Sequence, residues 1–267
     1  VESYSRAPRR IARAVGADNL DQEYERPPFT PWPDRDPDML TAAADLAKSM
    51  RVSRDAQHLF AIESHKKAAA YLKRGAADIV QLQGASKDGA SRNLSAALCD
   101  RLPIVVGDRD WGLTSASTAL KADGAAVVVL VSERYFQKRD RKGRFAIEFV
   151  DHVARGGDPE NPALAPIQAV RDIFARTAIS VPNIAVAEMM EAFAVQAMIC
   201  LRETGLDARP FNVRGGALAR GHPIGASGAI NAVRLFHELQ THATGSNGIA
   251  AIAAAGGLGS ALMMRSV

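Results

Sequence analysis

A layered α/β domain is the fold class this sequence predicts, on three observations. Across residues 145–267, strand-length apolar runs alternate with amphipathic segments of helical period. These runs are nearly continuous and rich in alanine, valine and isoleucine, as strands buried on both faces are. The longest apolar runs of the whole chain, such as Ala125–Val131 and Ile249–Ala255, fall far short of the roughly 20 residues a spanning helix needs, so no membrane segment is expected. With 267 residues and 47% hydrophobic content, the chain can bury one large core or two smaller ones.

The elements follow in order. Ala14–Asp38, rich in proline and acidic residues, reads as irregular. Asp36–Ala47 and Ser53–Arg74 read as helices. Ser53 supplies an N-cap, and Ala56, Phe60, Ala61 and Ala68 recur at helical spacing. Leu94–Cys99 is a helical run. Ala125–Val131 reads as a strand buried on both faces, and Arg144–Ala154 as a second strand. Pro166–Thr177 reads as a helix. Ile184–Glu188 is a strand feeding a Glu191–Leu201 helix. Ala229–Gln240 is a helix, Ile249–Ala255 a strand and Ser260–Arg265 a closing strand.

Composition excludes several functions. The formal charge of +4 is locally clustered, at Arg6, Arg9, Arg10 and Arg13 and again at Lys138, Arg139, Arg141, Lys142 and Arg144. Nucleic-acid binding would want aromatic side chains among those charges, and only 6% of residues are aromatic. The clusters therefore read as solvated faces, or as steering for a polyanionic ligand. Cys99 closes its helical run, where the dipole opposes a thiolate, and Cys200 sits in the apolar stretch Ala197–Leu201. Both read as inert core thiols without a disulfide framework, as suits a reducing, cytoplasmic compartment.

The densest motif runs from Asn212 to Gly228, with five glycines, one proline and one histidine. Glycines at that density let backbone approach a ligand or a neighbouring strand, and Gly225-x-x-Gly228 opens the helix that follows. Pro223 fixes the chain beside His222, so the imidazole is presented in one orientation. A lone Gly-His-Pro would read as a glycine-rich turn with an incidental histidine; the length of the flanking pattern argues for a site.

This segment resembles the signature of the thiolases, enzymes that make or cleave 3-ketoacyl thioesters of coenzyme A. The resemblance runs nearly end to end, in family order. Glu2-Ser3-Tyr4-Ser5-Arg6-Ala7-Pro8 is similar to the family's Glu-Ser-Met-Ser-Arg-Ala-Pro turn. Met39–Ala68, with Val52–Gln57, Phe60-Ala61 and Ser64–Ala68, resembles the thiolase loop domain. Asp123–Ala126, Gly157–Pro159, Ala165–Ile167, Glu191–Ala194 and Gly256–Gly259 complete the match.

The resemblance implies a layered αβαβα core with an inserted loop domain, the first core domain being incomplete in this chain. It places residues 1–6 and 113–134 in the remnant of that domain, 7–106 in the loop domain and 145–267 in the second core domain. In the family the nucleophilic cysteine, in an Asn-x-x-Cys-x-Ser-Gly context, precedes the Glu2–Pro8 turn. A fragment, a processed product or the larger piece of a split enzyme is therefore expected. A complementing N-terminal polypeptide would cover the strand edges, and the family's oligomers imply a homo-oligomer.

Site roles carry over residue by residue. The resemblance gives His222 the position that activates the cysteine and helps bind the thioester oxygen. The family's asparagine, which holds an oxyanion-hole water, becomes Met190. Its acid/base cysteine becomes Ala253. A serine-glycine pair on pantetheine becomes Ala119 and Leu120, and a histidine becomes Asp38, which would repel phosphate. Met39, Ala192, Phe193 and Gly225 match substrate-side positions, and Met39, Ala192 and Phe193 suit core packing equally. Two functions follow. One is a thiolase-type acyltransferase (acetyl-CoA C-acyltransferase) acting on acyl-CoA or 3-ketoacyl-CoA, without a separate cofactor or metal. The other is a non-catalytic thiolase-like binding or assembly subunit.

Overall fold

The computed structural model describes residues 30, 32–73, 78–82, 87–138 and 146–267, with the backbone of 9–10 and 23–24. The Glu2–Pro8 turn and the side chains of both arginine clusters, Lys138 excepted, lie outside the described residues.

β1 (Arg9–Arg10) pairs antiparallel with β2 (Glu23–Tyr24). α1 (Met39–Ser49) starts at Asp38, whose carboxylate accepts from the Thr41 backbone N–H and hydroxyl at 2.9 and 2.8 Å. That cap sets the helix start three residues later than the expected Asp36. α2 (Arg54–Lys73) begins where the Ser53 hydroxyl accepts from the Ala56 N–H at 3.1 Å, as expected. The 94–99 run forms only one turn, α3 (Ala96–Cys99), because Ser95 caps it. β3 (Ile104–Val106) and β4 (Leu113–Thr114) form an irregular antiparallel pair. Gly107, at φ +93°, lets the connection close: a Cβ there would lie 2.8 Å from the Gly112 Cα.

Ala125–Val131 corrects an expectation. It belongs to no strand, and Val127 and Val129 are each 82% exposed. Its apolar pattern is that of a buried strand, but among the described residues no strand pairs with it. α4 (Glu133–Lys138) follows.

The remaining elements form one unit: β5 (Ile147–Gly156), α5 (Ala165–Thr177), β6 (Ile184–Met189), α6 (Ala194–Thr204), α7 (Ala217–Arg220), α8 (Ser227–Leu239), β7 (Asn247–Ala254) and β8 (Leu258–Ser266). The sheet runs β5-β8-β7-β6, with β6 and β7 parallel and the other pairs antiparallel. Strand alternation sends side chains to two faces. Ala187, Met189, Ile249, Ala251 and Met263 pack under α5 and α6 with Val170, Ile173, Cys200 and Leu201. Val186, Ala250 and Met264 face Leu235 and Leu239 of α8. Burying each of those leucines fully contributes about 1.5–3 kcal/mol. Gly248 permits the approach, since a Cβ there would sit 2.6 Å from Leu235 Cδ1.

The expected Glu191–Leu201 helix starts at Ala194 instead. Its first residues are drawn into extended contacts, Ala119 N–H donating to Ala192 O at 3.0 Å and Ala194 N–H to Ser117 O at 2.9 Å. α1 packs on α6 through Ala43, Ala47, Val195 and Ile199, and α2 meets α6 and α7 through Ala61, Ala194 and Leu218. Among the described residues no helix is long and apolar enough to cross a membrane.

Candidate functional site

β6 and β7 run parallel, so their C-terminal ends lie on the same side of the sheet, and α8, which connects back into β7, starts there with Gly228 beside Ile252. The mouth of a parallel strand pair is where α/β folds gather ligand groups. His222 lies in the loop just before α8. Its backbone N–H donates to Leu120 O at 2.7 Å, which lays Lys121 alongside it in a parallel bridge. Gly221, at φ +92°, allows that contact, since a Cβ there would be 2.8 Å from Ala122 Cβ. The Pro223 carbonyl accepts from the Ala226 and Ser227 amides, each at 2.9 Å. The turn thus occupies the Ala226 and Ser227 amides internally, and Gly225 sits within it.

The imidazole is oriented by its own helix. Nδ1 lies 2.7 Å from the Ser227 hydroxyl, which itself donates to Pro223 O at 3.0 Å. With the serine proton so directed, Nδ1 is the donor and Nε2 keeps its lone pair. Burial first, and the Arg220 guanidinium second, push the His222 pKa down to about 4. The ring is therefore neutral at pH 7, the form that can accept a proton.

The strip 117–122 ties the predicted positions together. Thr118 bridges Phe193, Ala119 holds Ala192, and Leu120 holds His222. Met39, Ala192 and Phe193 share one apolar cluster with Leu113 and Ile199. Met190 is 1% exposed, and its amide donates to Ala251 O at 2.9 Å, continuing the sheet toward the end of β7 where Ala253 pairs with Gly259. Asp38 is a helix cap. Cys99 and Cys200 are both wholly buried; burial raises both pKa values, that of Cys200 to about 12, so neither is a nucleophile.

Beneath the loop lies a charged layer that sequence reasoning left without a role. The buried Glu191 carboxylate accepts from Ser64 Oγ at 2.8 Å, Asn212 Nδ2 at 2.6 Å and the Leu218 amide at 3.2 Å. Ser64 in turn accepts from the Gly216 amide at 2.9 Å, so one carboxylate joins α2 to the glycine loop. Arg234 donates to Arg214 O and Gly215 O from below and reaches Asp88 at 3.1 Å. Arg220 donates to Asn231 Oδ1 at 2.6 Å, and its Nε and Nη1 are buried without a partner among the described residues. Asn212, Arg214 and Arg220 were visible in the motif, but only the fold brings Ser64, Glu191 and Arg234 to them.

Glu188 belongs to this layer. Burial outweighs Arg234 and Arg220 and lifts its pKa to about 7. Its folded pKa lies above the unfolded 4.5, so its contribution to stability is present below 4.5 and lost as pH rises through about 7. Glu188→Gln removes that titration. Denaturant unfolding should show the variant gaining on the parent between about pH 5 and about pH 8; an unchanged difference would overturn the assignment.

Comparison with known proteins agrees with this geometry. The thiolase C-terminal domain family matches residues 144–266. A Staphylococcus aureus (strain MSSA476) protein is 32% identical over 280 residues, covering 98% of this chain and 69% of its own length. The chain belongs to the thiolase family. That relative is provisionally named acetyl-CoA C-acetyltransferase VraB. YhfS of Bacillus subtilis (strain 168), named in the same way, is 34% identical over 245 residues, which are 90% of this chain and 66% of YhfS. Among solved structures, the Bacillus anthracis acetyl-CoA acetyltransferase superposes with TM-score 0.79 at 27% identity, covering 88% of this chain and 61% of that one. The Acat5 thiolase from Ascaris suum in complex with coenzyme A gives 0.80 at 26%, covering all of this chain and 70% of that one. The chain thus spans about three fifths to seven tenths of these relatives.

Proposed function

We propose that this chain is part of a thiolase-type acyltransferase acting on acyl-CoA or 3-ketoacyl-CoA thioesters, its cysteine nucleophile being supplied by a segment or partner chain beyond these residues. The observation that carries this reading is His222, neutral and held at Nδ1 by Ser227, at the mouth of β6 and β7. A thiol placed against Nε2 would give up its proton as it attacks the thioester carbonyl. The carbonyl carbon then bonds to the cysteine sulfur, the bond to the coenzyme A sulfur breaks, and the departing thiolate takes the proton. Residues 1–6 and 113–134 would form the remnant of one core domain, 7–106 the loop domain and 145–267 the other core. Met39, Ala119, Ala192, Phe193 and Gly225 would line the pantetheine side. A homo-oligomer in the cytoplasm fits this reading.

Carbon-carbon bond formation asks for more. A second acid/base must move the α-proton, and Ala253 holds none; Met190 offers no hydrogen-bond donor to an oxyanion-hole water. Those two positions favour the second reading, a subunit that binds an acyl thioester or a partner without turnover. Acetyl-CoA is expected to raise the melting temperature of the assembly containing this chain. The absence of a shift at millimolar acetyl-CoA would sink both thioester readings. A shift without acyl transfer would leave binding alone.

A further inference from the structure

A second group of ligating side chains lies outside the His222 loop. Asp55 and His58 stand one turn apart near the start of α2, on one helix face, and Asp100 follows the end of α3. A ring nitrogen of His58 and one carboxylate oxygen from each aspartate lie within 4.8 Å of one another. Two exposed aspartates alone would be an ordinary solvated surface. His58 is different, being only 3% exposed. Its Nε2 lies 2.9 Å from the Thr114 hydroxyl, whereas its Nδ1 is buried with no hydrogen-bond partner among the described residues. A buried polar atom left unpaired costs about 1–3 kcal/mol, so such an atom calls for an occupant.

The chemistry of the ring fits a cation. Burial, then the charge of Arg54, holds the His58 pKa below its ordinary value and disfavours the charged ring. In the tautomer whose Nε2–H donates to Thr114, Nδ1 carries the lone pair. A ligating histidine is ordinarily fixed in this way, by a hydrogen bond from its other nitrogen. Arg54 opposes a second positive charge, while Asp55 and Asp100 favour one.

We propose that Asp55, His58 Nδ1 and Asp100 form a site for a divalent transition-metal cation, zinc or manganese, that clips the first turns of α2 to the end of α3. One imidazole with two carboxylates is a mixed nitrogen and oxygen set. Magnesium and calcium prefer oxygen throughout, so they bind more weakly here. Metal–ligand bonds of about 2.0–2.2 Å would draw the three atoms to roughly 3.3 Å apart in a tetrahedron. Rotation of the two exposed carboxylates supplies that closure while the buried ring stays in place. Three protein ligands leave one position for water. The clip bears on the His222 site through Thr114, whose β4 strand leads into the 117–122 strip.

Zinc titrated into the chelator-treated chain should bind with one equivalent at micromolar affinity or tighter, measured by calorimetry. Asp55→Asn and Asp100→Asn change exposed side chains, and circular dichroism checks their fold. Each should weaken that equivalent by at least about tenfold, and the double variant should abolish it. In imidazole nitrogen-15 spectra, the His58 Nδ1 resonance should move on zinc addition while Nε2 remains protonated. Equal zinc uptake by parent and double variant, an unmoved His58 Nδ1, or no uptake at millimolar zinc would overturn the site.

Discussion

Replacing His222 with alanine is expected to lower acyl transfer by about 100- to 10,000-fold in the assembly that carries the nucleophilic cysteine, with a smaller loss of thioester binding. The loss falls on kcat because the imidazole accepts the thiol proton only as the sulfur attacks. Ser227→Ala separates orientation from proton transfer. It removes the partner at 2.7 Å from Nδ1 and leaves the ring in place, so a drop of about tenfold is expected, the equivalent of one hydrogen bond of roughly 1.4 kcal/mol. Burst and steady-state kinetics with acetyl-CoA check both. A His222→Ala protein within threefold of the parent would remove the imidazole from the mechanism.

Glu191→Ala should cost about 3–5 kcal/mol of stability, because it strips a buried carboxylate from the Ser64 hydroxyl, the Asn212 amide and the Leu218 N–H at once. For a chain this size that is a fall of roughly 10 °C in melting temperature. The damage would reach the active loop, since Asn212 also pairs both ways with the Met189 backbone at 2.8 Å. Gly216 shows how closely the carboxylate is seated: a Cβ there would lie 1.9 Å from its carbon. Thermal unfolding with a fall of less than about 3 °C would mean that the loop stands without Glu191.

The second half of the fold was legible from apolar period alone. β6, α5, α8, β7 and β8 all fall within a few residues of their expected bounds, because each has a continuous or amphipathic pattern and a clear stop. The misplacements have local causes. Asp38 and Ser95 cap their helices later than hydrophobicity suggests, and Glu191–Phe193 are held extended by the 117–119 backbone. His222 was legible because glycine and proline must surround a backbone this tight. Ser227, Ser64 and Arg234 were not, because their importance comes from contacts across α2, α8 and the loop that no local pattern records.

The exposed Ala125–Val131 run also bears on how the chain matures. The β7–β8 hairpin closes through the short Ala255–Gly257 turn, so the C-terminal sheet can assemble from contacts near in sequence. Among the described residues the valine run has no such neighbour, so its pairing would come from elsewhere. During that interval it is a charge-free, β-branched template of the kind that seeds intermolecular stacking. Yield in refolding should then depend on chain concentration, and the step that shields Val127–Val131 becomes the point at which folding competes with precipitation.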